Sequence, residues 1–252
     1  MLRESSFAKP TICLIFLLAG GYCLLGAGTI FLGLPYWLVG LGLVGLAYGS
    51  FTVMHEASHR LIWRKQPSME LWLGRLASLP LGIPYSVFVY NHMQHHAFAN
   101  RADRDPDAFI AGPLWLSVLK APLVIGYYGW FYFKQIRSGK VPQLNQQRVI
   151  NELLGLAALN AGFISLFGMT NVLWYWWLPA WLATGILAWV LDWVPHHPHQ
   201  GRTRDDVARN YNFIGARWLL LGQNLHQVHH AHPQVPWYRY RNYIMEQADD
   251  VA

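Results

Sequence analysis

Ionised side chains are scarce in this chain. Asp, Glu, Lys and Arg make up 13% of its 252 residues, against about 25% in an ordinary soluble domain. None of them, and no His, occurs in the 45 residues from Pro10 to Met54 or in the 39 from Leu153 to Leu191. A surface helix of a soluble globule keeps a polar face, so these blocks exclude that class. A bilayer-crossing helix takes about 20 apolar residues, and each block therefore holds two crossings and a turn. Cysteine is nearly absent as well. Cys13 and Cys23 stand ten apart in one expected helix, about 15 Å at helical rise, beyond disulfide reach. That excludes a disulfide scaffold, a zinc finger and a cysteine-held iron–sulfur cluster.

What charge there is has a direction. The formal net charge is +6. Lys and Arg accumulate in the cytoplasmic segments of membrane proteins. The expected external turns, Gly33–Tyr36 and Gly168–Val172, carry no charge. Arg3, Lys9 and every other Lys and Arg fall in the N-terminal, middle and C-terminal segments. Both termini are therefore expected in the cytoplasm, in a multi-pass cytoplasmic (inner) membrane protein. The basic balance needs no nucleic acid as partner. The start of the chain is like a signal peptide, but its apolar run is long and leads into a second span, so it reads as a retained helix.

The expected fold is an all-α integral membrane protein, one membrane-embedded domain over 1–252. Four transmembrane helices form two hairpins, 11–31 with 35–54 and 153–169 with 173–191, turning at Gly33–Pro35 and Gly168–Asn171. Two further apolar runs, 71–90 and 114–133, are interrupted by Arg75 and Lys120, and Pro80 and Pro84 break the first. A crossing by either would carry Lys134, Arg137, Lys140 and Arg148 to the far side, so both read as interfacial or re-entrant. A glycine pattern at Gly40, Gly42 and Gly45 matches the dinucleotide fingerprint. It lies inside a charge-free span rather than between a strand and a helix, so it reads as close helix packing.

The 12 histidines stand in four groups: His55 and His59; His92, His95 and His96; His196, His197 and His199; His226, His229, His230 and His232. One HxxxH (55–59) and two HxxHH patterns (92–96 and 226–230) lie within them. Residues i, i+3 and i+4 share a helix face, so three helices present eight imidazoles, and His196 at the end of the fourth span adds a ninth. All four groups fall on the cytoplasmic side in a helical cap. Imidazole suits zinc, copper, iron and nickel, and the absence of a nearby thiol disfavours structural zinc and Cu(I). Eight or nine ligands exceed the needs of one ion and imply two. Read alone, His55-Glu56-Ala57-Ser58-His59 matches a zinc protease box with Glu56 as base, but that leaves the other groups idle. A metal transporter would place ligands near mid-membrane, where the charge-free blocks have none.

The three histidine boxes between paired spans resemble the membrane fatty-acid desaturase/hydroxylase superfamily, over the chain from about Met54 to Tyr243. Finer segments are similar to the desaturase-like β-carotene hydroxylases: HMQHHAFANRADRDPD (92–107), GPLWL (112–116), VPHHPH (194–199) and GQNLHQVHHAHPQVPWYRY (222–240). The family often has Asp where Glu56 stands and Arg where His197 stands, which sets His197 aside as a ligand. The resemblance implies a non-haem enzyme with two iron ions that uses O₂ against an unactivated C–H bond. It implies iron ligands His55, His59, His92, His95, His96, His226, His229 and His230, with His196 as ninth and His199 its competitor. Asp192, Glu56, Asp107 and Asn224 are further candidates, as ligands or as partners of ligands. Asp103 and Asp105 also lie near, Asp103 as a helix cap or in a solvated loop, and Arg239 and Arg241 read as membrane-surface cations. The implied reaction is hydroxylation of carotenoid rings, with acyl-lipid desaturation or hydroxylation as the other reading. Trp174, Trp176, Trp177 and Trp181 suit an interfacial belt, or less readily the wall of a polyene tunnel. With no nucleotide site of its own, the chain would take electrons from an external ferredoxin- or cytochrome-type donor docked on the basic face.

Overall fold

The computed structural model of the chain describes residues 7–249; Arg3 lies outside them. Among the described residues every regular element is helical. Helices α1 (Lys9–Leu32) and α2 (Tyr36–Ser58) form the first hairpin. Gly33 ends α1 at φ 61°, a left-handed conformation that glycine adopts without a Cβ clash, and Pro35 opens α2. Gly42 is a packing position: a Cβ there would meet a methyl of Leu25 in α1 at 2.7 Å. Of the three dinucleotide-like glycines, all inside α2, Gly42 packs in this way, whereas a Cβ at Gly40 or Gly45 would meet nothing within 4 Å.

Neither middle run is one helix. Helix α3 (Pro67–Ser78) gives way to a 3₁₀ turn at Leu79–Leu81 before α4 (Tyr85–Phe98). Likewise α5 (Leu114–Lys120) breaks at Ala121–Leu123 before α6 (Val124–Arg137). Helix α7 (Gln143–Phe167) starts ten residues earlier than the charge-free block. The polar residue that set that expectation is neutralised: Glu152 accepts from Arg75 Nε at 2.8 Å and from the Ser86 N–H and hydroxyl, both at 2.8 Å. The second turn is also shorter than expected. Gly168 alone, at φ 83°, separates α7 from the next helix. That helix, α8, runs over 169–193 and widens into π turns at Leu173–Trp177 and Ala188–Trp193.

Helices α1, α2 and α7 are each long and apolar enough to cross a membrane. Their outer faces suit lipid and not water: Leu24 is 74% and Phe31 81% exposed. The core is where α2, α4 and α8 meet, with Val53, Met54, Phe88, Ala183 and Leu187 buried together. Each large member contributes about 1.5–3 kcal/mol by burial. Tryptophans fasten α8 to its neighbours, Trp176 Nε1 donating to the Leu79 carbonyl and Trp181 Nε1 to that of Pro122. Two short helices, α9 (His226–Ala231) and α10 (Tyr240–Asp249), close the histidine end.

Candidate metal centre

The histidine boxes arrive from four places at one end of the core: the last turn of α2 and its cap (His55, His59), α4, the turn following α8 (His196), and α9. They divide into two clusters. His55, His59, His92, His96 and His229 form one, and His95, His196, His226 and His230 the other; within each, the ligand nitrogens all lie within 4.8 Å of one another. The i, i+4 pair of each HxxHH box stays together, and the middle histidine is delivered to the other cluster. His92 and His96 join His229, while His226 and His230 join His95.

In the first cluster the Nε2 separations are 2.8 Å for His59–His92, 3.1 Å for His92–His96, 2.9 Å for His96–His229 and 3.1 Å for His55–His229. In the second they are 3.1 Å for His95–His230, 3.1 Å for His196–His226 and 3.2 Å for His226–His230. Two nitrogens bound to one ion at about 2.1 Å stand roughly 3.0–3.4 Å apart for ordinary bond angles. Hydrogen bonding alone explains such rings poorly, because a neutral imidazole has one N–H and it is often engaged elsewhere. His196 Nδ1 donates to the Val207 carbonyl at 2.8 Å, which turns a bare Nε2 lone pair inward. The donor set therefore fits a metal ion in each cluster.

Electrostatics point the same way. Burial holds His92, His96, His196, His229 and His230 well below the usual histidine range, and pushes His59 down to about 4 and His226 to about 3. These imidazoles are neutral at pH 7, the state that ligates. His95 is different. Desolvation opposes its protonation too, but the Asp107 and Asp105 carboxylates override it and push His95 up to about 10. Its Nδ1 lies 2.9 Å from Asp105 and 3.3 Å from Asp107. A carboxylate behind an imidazole fixes its tautomer and raises its basicity as a ligand.

The remaining candidates have other places. His199 is outside both clusters, its ring centroid 6.3 Å from that of His196 and both its nitrogens without hydrogen-bond partners. His197 packs on Trp193, and His232 faces Tyr243. Glu56 is fully buried and accepts from the Trp237 N–H at 3.2 Å, tying the C-terminal segment to α2. Asn224 Nδ2 donates to the Tyr211 carbonyl at 3.1 Å, a loop fastening. Asp103 is exposed and pairs with Arg104 at 3.4 Å. Asp192 accepts from the Tyr128 hydroxyl at 3.1 Å, and Tyr128 also hydrogen-bonds Asp107.

Sequence reasoning singled out none of three further residues of this site, although Gln223 and Tyr240 lie within the 222–240 segment. Tyr128 joins the two carboxylates; the Tyr240 hydroxyl is 3.0 Å from His229 Nδ1; Gln223 is 2% exposed, and neither end of its amide has a hydrogen-bond partner. Only Gln223, three before His226, stood close enough to a box to be noticed.

Beside the clusters lies a cavity of about 480 Å³ between α2, α4, α6, α7 and α8. Its walls are mainly apolar, among them Phe51, Leu81, Phe88, Ile125 and Leu187. Its polar end holds His55 and His92 of one cluster, His95 and His226 of the other, and Asp107, Tyr128, Asp192 and Gln223. No tryptophan lines it; the indoles of α8 face other neighbours.

The sequence model of the family described as "Fatty acid desaturase" matches residues 11–248. A bovine protein named sphingolipid delta(4)-desaturase/C4-monooxygenase DES2 is 24% identical over 94% of this chain and 72% of its own length. A beta-carotene ketolase of Paracoccus sp. (strain PC1) is 28% identical over 79% of this chain and 74% of its own. An sn-1 oleoyl-lipid 12-desaturase of Picosynechococcus is 27% identical over 88% and 71%. These relatives are named for oxidative chemistry on lipophilic molecules, and the family match spans both histidine clusters and the helices that frame them. The chain belongs to the fatty acid desaturase family and is an oxidoreductase.

Proposed function

We propose that the protein is a membrane di-iron oxygenase that oxidises C–H bonds on the rings of a carotenoid of the β-carotene type. The observation that carries the reading is the cavity. It is apolar along its length and ends on histidines of both clusters, so a hydrocarbon lying in it presents a carbon to the metal pair. Bound iron would supply the binding and reduction of O₂, chemistry outside the reach of side chains. The protein's own residues do the rest. His55, His59, His92, His96 and His229 would hold one ion, and His95, His196, His226 and His230 the other. Asp105, Asp107 and the Val207 carbonyl orient His95 and His196. The apolar walls exclude water from the reacting end. Tyr128 has one hydroxyl proton and two carboxylate neighbours, so at that wall a proton is shared between the Tyr128 oxygen and the oxygens of Asp107 and Asp192. Burial pushes the Asp107 carboxyl up to about 6, closer to neutral pH than an ordinary aspartate.

The choice of carotenoid is supported by GPLWL (112–116) and the 222–240 segment, and by relatives named as carotene ketolases. The second reading, oxidation of an acyl or sphingoid chain, is favoured by the desaturase relatives. In the same proposal α8 is a fourth crossing beside α1, α2 and α7, with the clusters and both termini in the cytoplasm of a bacterial-type inner membrane. Expression in cells that make β-carotene, with analysis of pigments and total acyl chains, tests the substrate. Hydroxylated or keto carotenoids with an unchanged acyl profile are expected. New acyl products without new pigments would establish the second reading.

A further inference from the structure

We propose that Gln223 sets the specificity of the substrate cavity, and that the lipid the cavity prefers already carries a hydroxyl group at the end that meets the histidine clusters. This rests on the oxygenase reading and deepens it by naming a substrate class, an oxygenated lipid bound in preference to its parent hydrocarbon. Gln223 borders the polar end of the cavity together with His55, His92 and His226. Among the described residues it is the one side-chain amide whose oxygen and nitrogen are both closed off from solvent and both unpaired. Asn91 and Asn224 are buried too, but each commits its Nδ2 to a backbone carbonyl, of Tyr128 and Tyr211 respectively.

The backbone holds this amide in place. The Gln223 N–H donates to the Leu220 carbonyl at 2.9 Å. Leu221 and Gly222 before it have φ of 47° and 76°, and a bulky residue in the left-handed region persists only where its surroundings enforce it. A Cβ on Gly222 would stand 2.8 Å from the Trp237 carbonyl oxygen, so the turn is wedged against the C-terminal segment.

The chemistry of the occupant follows from what the amide lacks. A buried polar group left without a partner is costly, and a hydrocarbon filling the cavity leaves both ends of Gln223 bare. A hydroxyl has one donor and two lone pairs, so it can donate to Oε1 and accept from Nε2. A ketone answers only the Nε2 end. A charged headgroup fits no better, because no Lys or Arg among the described residues lines the cavity and an unpaired buried charge is costlier still. The other amide on the wall, Gln146, is already occupied, its Nε2 donating to the Val141 carbonyl at 2.9 Å. Asp107 and Asp192 are joined through Tyr128. Gln223 is the uncommitted amide of this wall.

The test is equilibrium binding to the metal-loaded full chain in a non-ionic detergent, without reductant, so that no ligand is consumed. One ligand set is β-carotene with its ring-hydroxylated derivatives, followed by quenching of tryptophan fluorescence. The other is hexadecane with hexadecanol, followed by the rise in melting temperature that a bound ligand gives. At least one hydroxylated carotenoid should bind about tenfold or more tightly than β-carotene. Gln223→Met, unbranched and of similar size, should bring that ratio to within about twofold and leave β-carotene bound at least as well. Gln223→Leu stands in if the Met variant does not fold. Gln146→Met should keep the wild-type ratio. A wild-type ratio near one in both sets, a ratio that survives the apolar variants, or a matching collapse in Gln146→Met overturns the proposal. So does an equal loss of hydroxylated and parent ligands in Gln223→Met, which would make the amide a support for the fold. Binding of neither set overturns it as well. A Gln223-dependent preference for hexadecanol over hexadecane, with no carotenoid bound, would remove the carotenoid reading and leave this one standing.

Discussion

Asp105 lies ten residues after His95 and closes on its Nδ1 at 2.9 Å, with its other oxygen accepting the Asn100 N–H at 2.7 Å. The carboxylate is thus fixed before any metal arrives, and His95 is held with Nε2 aimed at the second cluster. Asp105→Asn keeps the shape and removes the charge. Metal affinity at that cluster should fall by roughly 10–100-fold, read as lost metal in dialysis against a chelator. An unchanged affinity would mean that Asp107 alone orients the imidazole.

The division of the boxes makes a sharper prediction. His226→Ala should leave about one metal ion per chain, held by the five-histidine cluster, and His59→Ala should leave about one, held by the other. If each box served one ion, His226→Ala and His229→Ala would strip the same metal. In the observed arrangement they belong to different clusters and should strip different ones. Elemental analysis with absorption or Mössbauer spectra of the single-site proteins distinguishes the two outcomes.

This division marks where sequence reading stopped. The spacing of His92, His95 and His96 placed them on one face of a helix, and so they are. Which of the two clusters each joins depends on how α4, α9 and the last turn of α2 cross, and no local spacing encodes that. The first hairpin was legible because Gly33 and Pro35 are its punctuation. The start of α7 was not, because Glu152 reads as polar until Arg75 and Ser86 are seen against it. Helix α8 hid its π turns, which no residue pattern announces. Tyr128, in the largely apolar α6, and Tyr240, at the end of the 222–240 segment, were missed because a tyrosine carries no signal until its hydroxyl finds a partner.

Tyr240 is such a case. It is fully buried, and its hydroxyl reaches His229 Nδ1 at 3.0 Å. Tyr240→Phe removes one oxygen and leaves the packing. Stability should drop by about 1 kcal/mol, and metal should leave the five-histidine cluster more readily. A loss confined to the four-histidine cluster would contradict the contact.

Gly201 guards the loop that holds His196. A Cβ there would sit 1.9 Å from the Asp206 carbonyl oxygen and 2.8 Å from Val207 Cα, both backbone atoms that cannot rotate away. Gly201→Ala should therefore displace the segment whose Val207 carbonyl accepts from His196 Nδ1. The expected result is reduced occupancy of the four-histidine cluster, with the other intact. Gly126→Ala, where a methyl would meet nothing within 4 Å, is the control.

Glu70 gives a pH dependence removed from the metal sites. It lies on α3, outside the crossings, and accepts the Trp63 N–H at 2.6 Å. Burial pushes its carboxyl up from an ordinary 4.5 to about 7, against the pull of that hydrogen bond. A raised carboxyl pKa means that the folded state binds the proton more tightly than the unfolded state. The stabilisation is full below about pH 4.5 and is lost as pH rises through about 7. Melting temperature in detergent should fall across that window in the wild type. Glu70→Gln, neutral at every pH, should flatten that part of the profile and melt higher than the wild type above pH 7. A Gln variant whose profile keeps the wild-type slope would place the titrating group elsewhere.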